Sequence, residues 1–203
     1  MSEFFDVAHR QRAYRYLLPD PVPEALIERI LDVAVRAPSA QNTQPWEFVV
    51  VQDPEARTSL AEHAQKLWET FGREYSRPEV DTYQWSDTDA WATGSFARAP
   101  VMIVVCGDTR EMDETRLGSS IFPAVQNILL AALDLGLGSL LSSLPIVSAD
   151  EPRRILGLPE HLLPMAVIPI GVPERRLGPP KRIPFAQKTH RDRYGTPWGE
   201  ARS

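Results

Sequence analysis

Apolar residues recur along this 203-residue chain with two alternating periods. In "PEALIERILDVAVR", residues 23 to 36, Leu26, Ile30, Val33 and Ala34 fall at helical spacing, and Pro23 and Glu24 suit a first turn. The pattern breaks at "APSAQNTQP". A residue preceding proline is biased toward extended geometry, so this stretch reads as a loop that ends near Pro45 and lets Trp46 open the strand "WEFVVV". A second helical pattern follows Pro54 in "PEARTSLAEHAQKLWETFG". It fades into "REYSRPEVDTYQWSDTDAWATG", which has no clean period and reads as a variable, surface-exposed insertion from about 71 to 96.

Further on, "PVMIVVCGD" is a continuous apolar run suited to a strand buried on both faces. "SSIFPAVQNILLAALDLGLG" predicts a central helix, apolar nearly all round, with Ser119 or Ser120 as its cap and Pro123 in its opening turns. "GSLLSSLP" reads as a short strand or extended turn, Ser148 with Glu151 as a capping box opening "ADEPRRILGL", and "LLPMAVIPIG" as a further strand. Alternating helices and strands around one sheet predict an α/β or α+β sandwich in a single domain over 1–203, with an aperiodic Pro- and Arg-rich tail over 172–203.

Composition narrows the function classes. At 43% hydrophobic residues and 24% charged, the chain is that of a folded globular protein. Its net charge of -5, with basic residues scattered among acids, argues against nucleic acid as a partner. Gln126, Asn127 and Asp134 interrupt the most apolar stretch and argue for a core helix over a membrane span. "MSEFFDVAHRQRAYRY" lacks the pattern of a signal peptide, so the expected location is cytoplasmic. One cysteine, Cys106, excludes an internal disulfide, and it reads as a small core residue; His9, His63, His161 and His190 are widely separated, and no metal site is expected.

No phosphate-binding glycine loop, zinc-protease helix or nucleophile elbow is present. Two constellations remain. Arg12 and Arg15 in "RAYR" are three apart, so on a helical turn they share a face and present two guanidinium forks to one dianion; alternatively they make ordinary surface ion pairs. Asn42 and Gln44 each carry a donor and an acceptor on one amide, the combination that reads an alternating C=O, N–H, C=O edge such as the pyrimidine edge of a flavin. Ser39 adds a rotatable hydroxyl. The same side chains could equally satisfy their own backbone.

The arrangement "RAYR", then "PDPVPEALIERILDVAVRAPSAQNTQPWEFVVVQDP", resembles the nitroreductase family of FMN-dependent oxidoreductases. The similarity continues through "RAPVMIVVCGD", "PAVQNILLAALDLGLGS", "ILGLPEHLLPMAVIPIGVP" and "PKRIP". It implies an α+β fold with a central, mostly antiparallel sheet flanked by helices, and a homodimer with exchanged C-terminal arms clasping FMN. By this resemblance Arg12 and Arg15 bind the phosphate or ribityl chain, with Ala13 standing where many members carry a hydroxyl and Arg10 a candidate to compensate. Arg15 is placed nearest the ring, at N1 and O2. Pro38, Ser39 and Asn42 lie along the flavin from the other subunit, and Gln44 supports the loop or touches the ring. Leu141, Ser142 and Ser143 lie beside the isoalloxazine, and Lys181 and Arg182 return to the phosphate.

Gln126 and Asn127 are expected to bond neighbouring backbone at the dimer interface. Tyr75, Tyr83, Trp85 and Trp91 of the insertion are expected either to cover the flavin or to pack. The implied reaction is ping-pong: NADH or NADPH reduces the flavin at N5, then a nitroaromatic, quinone or similar small molecule is reduced, so that no side chain need act as catalyst. A dehalogenase, flavin-cleaving or oxidase specialisation and a low-turnover flavin-storage role are the alternatives.

Overall fold

The structure is a computed structural model that describes residues 3–76 and 82–199. Residues 77–81 of the expected insertion, the last four residues of the expected arm and the Tyr83 side chain lie outside that description. Four strands form one sheet: β1 (Trp46–Val51), β2 (Val101–Asp108), β3 (Gly138–Ser139) and β4 (Leu162–Gly171), in the order β1-β2-β4-β3. Every pairing is antiparallel. β2 is buried along its whole length, because its alternating side chains feed two cores. Val101, Ile103 and Val105 point into one with Ile168 and Ile170, whereas Met102, Val104 and Cys106 point into the other with Val167.

The first core is closed by α2 (Glu24–Ala34) and α6 (Glu114–Asp134). α6 is long and apolar enough by length and composition to cross a membrane, but Leu117, Ile121, Ala124, Val125, Ile128 and Ala132 are buried against the sheet and α2. It begins five residues before the expected Ser119. Asp113 caps it by accepting from the Thr115 N–H, and a carboxylate at that end also offsets the helix dipole. Pro123 is thus interior; the hydrophobic burial around it offsets the missing hydrogen bond. Gln126 is exposed, and Asn127 donates to the Val33 carbonyl at 3.0 Å.

The second core is closed by α3 (Pro54–Leu67), a π-turn over Trp68–Gly72 and α5 (Thr82–Ala92); α4 (Arg73–Ser76) follows the π-turn and buries no residue. The expected insertion is exposed at Phe71 and Tyr75, but its C-terminal end is not. Trp91 and Phe96 are 4% and 1% exposed and their rings lie 4.9 Å apart. Asp89 ties the segment down by accepting from Trp68 Nε1 at 2.8 Å and Arg73 Nε at 2.7 Å. Burial pushes its carboxyl up, but those two donors outweigh that and hold it below its ordinary value. The aromatics belong to separate elements, so no single period revealed them. The capping box at Ser148 does not form either: α7 (Asp150–Leu156) starts after Ala149, and Glu151 pairs with Arg154 instead.

Candidate functional site

α1 (Glu3–Arg10) ends before the basic motif, so Arg12 and Arg15 do not share a helical turn as their spacing suggested. The motif runs extended at the β3 edge of the sheet. The Tyr14 N–H donates to the Ser139 carbonyl at 3.0 Å, and Leu18 N–H to the Val172 carbonyl at 2.8 Å. Leu17 bridges Pro173, and Glu174 N–H donates to the Tyr16 carbonyl at 3.1 Å. Gly138 makes this contact close: a Cβ there would sit 2.9 Å from both Tyr14 Cβ and Leu17 Cδ2. The tail therefore leaves β4 paired with the motif, which is why residues so far apart in sequence meet.

They meet in a cleft of about 560 Å³ lined by Arg12, Ala13, Arg15, Lys181 and Arg182 together with Tyr14, Tyr16, Asp87, Arg175, Leu177 and neighbours. Arg12 Nη1 donates to the Gly178 carbonyl at 3.0 Å, fixing the guanidinium against the tail. Arg15 Nη1 donates to Asp87 Oδ2 at 3.0 Å. Burial, then the Asp87 carboxylate that its hydroxyl also reaches, push the Tyr16 phenol above its ordinary value. Five cationic side chains face one carboxylate here, and such a concentration of donors suits a phosphate or another polyanion. Arg10 is not among them; it pairs with Asp6 at 2.9 Å on α1.

The amide loop lies elsewhere. Ala40–Asn42 form a 3-10 turn whose Ala40 N–H donates to Ser120 Oγ of α6 at 3.2 Å. Gln41, Asn42 and Gln44 all have left-handed backbone, with φ of 54°, 57° and 50°. Such conformations cost roughly 1–2 kcal/mol per residue outside glycine, so the loop stores strain. Part is offset internally: Ser39 Oγ accepts from the Gln44 N–H at 3.0 Å, and Gln44 Nε2 donates to the Asn42 carbonyl at 3.4 Å. Pro38, Asn42 and Gln44 are exposed, while Thr43 Oγ1 is buried with no hydrogen-bond partner. Buried polar groups are nearly always paired, which marks this loop as locally incomplete.

The sheet fixes how far apart these halves are. Trp46, just after the amide loop, pairs with Gly107 at one end of β2. Ser139, beside the basic motif, pairs with Ile170, which pairs with Val101 at the other end. The halves occupy diagonally opposite corners, about 20 Å apart along the strands and about 14 Å across them. Leu141, Ser142 and Ser143 continue along the β3 edge. Leu141 is exposed, Ser142 exchanges backbone bonds with Val167 at 2.9 Å each way, and Ser142 Oγ accepts from the Leu144 N–H at 3.3 Å.

Sequence reasoning missed Tyr16, Asp87, Arg175 and Thr43. Tyr16 and Arg175 stand beside the motif and the tail start, where "RAYRY" and "PERR" were available signals; Asp87 had none, because only the packing of α5 brings it to the cleft. Cys106 is a core residue as read, its thiol pushed up to about 12 by burial first and then by Glu47. Among the described residues no group of three or more His, Cys, Asp or Glu side chains is arranged to hold a metal ion.

The chain's relatives can be set beside this geometry. It is 34% identical over 194 residues to the NADH dehydrogenase of Thermus thermophilus, covering 88% of this chain and 90% of that protein. It is 26% identical over 178 residues to the iodotyrosine deiodinase of Thermotoga neapolitana, covering 86% and 90%. Its fold matches a protein from Desulfovibrio desulfuricans crystallised in complex with FMN, with a TM-score of 0.73 and 26% identity over 96% of this chain and 99% of that one. The nitroreductase family profile matches residues 8–172. The chain therefore belongs to the nitroreductase family, an assignment that makes it an oxidoreductase by kind.

Proposed function

We propose that this protein is an FMN-dependent oxidoreductase that passes reducing equivalents from NADH or NADPH to a nitroaromatic, quinone or related acceptor. The observation that carries the reading is the single cleft holding Arg12, Arg15, Lys181 and Arg182. Its cationic lining and its volume of about 560 Å³ fit the phosphate end of the mononucleotide, and the related structure with FMN supports that choice. When bound, the flavin supplies hydride acceptance and donation. The chain's own residues do the rest. Arg12 and Arg182 hold the phosphate, with Lys181 beside them and Ala13 leaving room, and Arg15 offsets negative charge at N1 and O2. Backbone N–H groups of Leu141 and Ser143 would face the ring, on a segment that Ser142 fixes to β4 through Val167.

The functional unit in this reading is a homodimer. Pro38, Ser39, Asn42 and Gln44 stand at the far corner of the sheet, so a two-fold partner is needed to bring one chain's amide loop to the other's cleft. Thr43 and the strained backbone are then completed by the ligand and the partner. Exposed Phe4 and Phe5 on α1, Val33 on α2, Val35 just after it and Phe122 on α6 supply apolar surface for that contact. The whole of 1–203 acts as one domain, with 172–203 as the arm and 71–96 as the part that shapes the acceptor site, where exposed Tyr75 stands at hand.

An absorption spectrum of the purified protein, followed by NADPH under argon, tests the reading: a flavin band bleached within seconds is expected, and a colourless protein that ignores added FMN refutes it. A dehalogenase specialisation is the second reading, favoured by the 26% identity to an iodotyrosine deiodinase. Iodide release from 3-iodotyrosine faster than reduction of a nitro compound would select it. Tightly held FMN that NADPH reduces over hours would select storage.

A further inference from the structure

The cleft contains one charge of the wrong sign. Asp87 belongs neither to the basic motif nor to the tail but to α5, and it places Oδ2 3.0 Å from Arg15 Nη1 beside Tyr16 in the lining of the cleft. Both members of the ion pair are largely sheltered, with side-chain exposures of 28% for Arg15 and 19% for Asp87, so the pair is stronger than a surface contact. Asp87, with Tyr16 and Arg175, lines both the cationic cleft and a second cavity of about 380 Å³ that Ser86 and Glu174 complete. The C-terminal end of α5 is fixed independently of the cleft, through Asp89 and Trp91.

We propose that Asp87 is an exchangeable counter-anion that α5 lends to Arg15: it holds the guanidinium before a ligand binds and yields it to the ligand that enters, at the N1 and O2 edge in the flavin reading. The inference rests on the flavin reading for the identity of that ligand. Its physical content is competition. A carboxylate already satisfying Arg15 lowers the positive potential that an anion meets, and the anion must displace it to use that donor. Asp87 thereby sets a cost that every ligand using Arg15 must meet. It also links the cleft to the position of α5, since release of Asp87 removes a tie at that helix.

The test is a titration of the flavin-free protein with FMN, followed by flavin fluorescence, in the wild type, Asp87→Asn, Asp87→Ser and Asp87→Glu. Amide hydrogen exchange of the same flavin-free proteins is read over α5 and β2. Both charge-free variants are expected to bind FMN about fivefold tighter and to exchange faster over α5. Asp87→Glu should stay within about twofold of wild type, and β2 should keep its protection. Unchanged or weaker FMN binding in both charge-free variants with β2 protected, or unchanged exchange over α5, overturns the inference. Wild-type protein that binds no FMN takes down the flavin reading and this inference together, whereas wild-type binding that the variants do not alter removes this inference alone.

Discussion

The cationic cleft and the amide loop are built by opposite means. The cleft is assembled over distance: the segment at Arg12–Arg15 and the tail at Lys181 and Arg182 are held together by backbone pairing of Leu17 with Pro173 and by the close approach at Gly138. The amide loop is built locally, from left-handed residues whose bonds close on Ser39 and Asn42, with long-range support from Ser120 and, at Pro45, from the Asp108 N–H. The first presents several donors ready for one anion. The second is strained and unfinished, with Thr43 Oγ1 buried and unpartnered. In the proposed homodimer the two halves of one site come from different copies.

The largest effect should come from removing two of the cleft's charges. Arg12→Ala with Arg182→Ala deletes two charge-assisted contacts worth roughly 1.5–3 kcal/mol each, so FMN affinity should fall at least about 100-fold. Flavin absorbance after desalting reads this, and full occupancy would contradict the phosphate assignment. Next in size, Asn42→Ala should weaken FMN binding about tenfold while leaving the fold intact. Mixing this variant, after unfolding and refolding together, with the double arginine variant sharpens the comparison. A mixed dimer has one site made of an intact cleft and an intact loop, so about a quarter of all sites should regain wild-type affinity. No recovery would place both halves in one chain.

Gly138→Ala attacks the cleft through its floor. The new methyl meets Tyr14 and Leu17 at 2.9 Å, and overpacking of this kind costs about 1–3 kcal/mol. A lowered Tm with weaker FMN binding is expected, and unchanged values would show that the motif can shift freely. The smallest effects concern pH, and the two corners should fail at opposite ends. At the amide corner, hydrogen bonds from Arg110 hold the Asp108 carboxyl below its ordinary value, against the opposing effect of burial. A depressed folded value contributes stability above the unfolded value near ~3.9 and loses it as pH falls further. Asp108→Asn should flatten the Tm profile below that pH. At the cleft, the raised Tyr16 value contributes stability below about 10 and loses it as pH rises through the folded value. Tyr16→Phe should remove that alkaline loss, read by Tm between about pH 9 and 11.

Much of the fold was legible because its signals are local. The strand at Trp46–Val51, the doubly buried run at Val101–Asp108 and the strand at Leu162–Gly171 follow from apolar periodicity and the prolines that bound them. Helix starts were read less well. Asp113 outcompeted Ser119 because a charged acceptor nearly two turns earlier lets the helix bury Leu117 as well. The segment from 71 to 96 was opaque because Trp68, Trp91 and Phe96 meet from different elements.

Residue types determined which groups this chain has to offer: guanidinium groups able to take an anion and carboxamides able to pair with a heterocycle edge. Only the tertiary structure decided where those groups stand. An arginine's charge is written in the sequence, but its partner is not. The tail's return to the basic motif, the diagonal separation of the amide loop and the arrival of Asp87 on Arg15 all depend on strand pairing and helix packing between residues far apart in the chain. The free energy of such contacts comes from surfaces that exist only once the chain has folded.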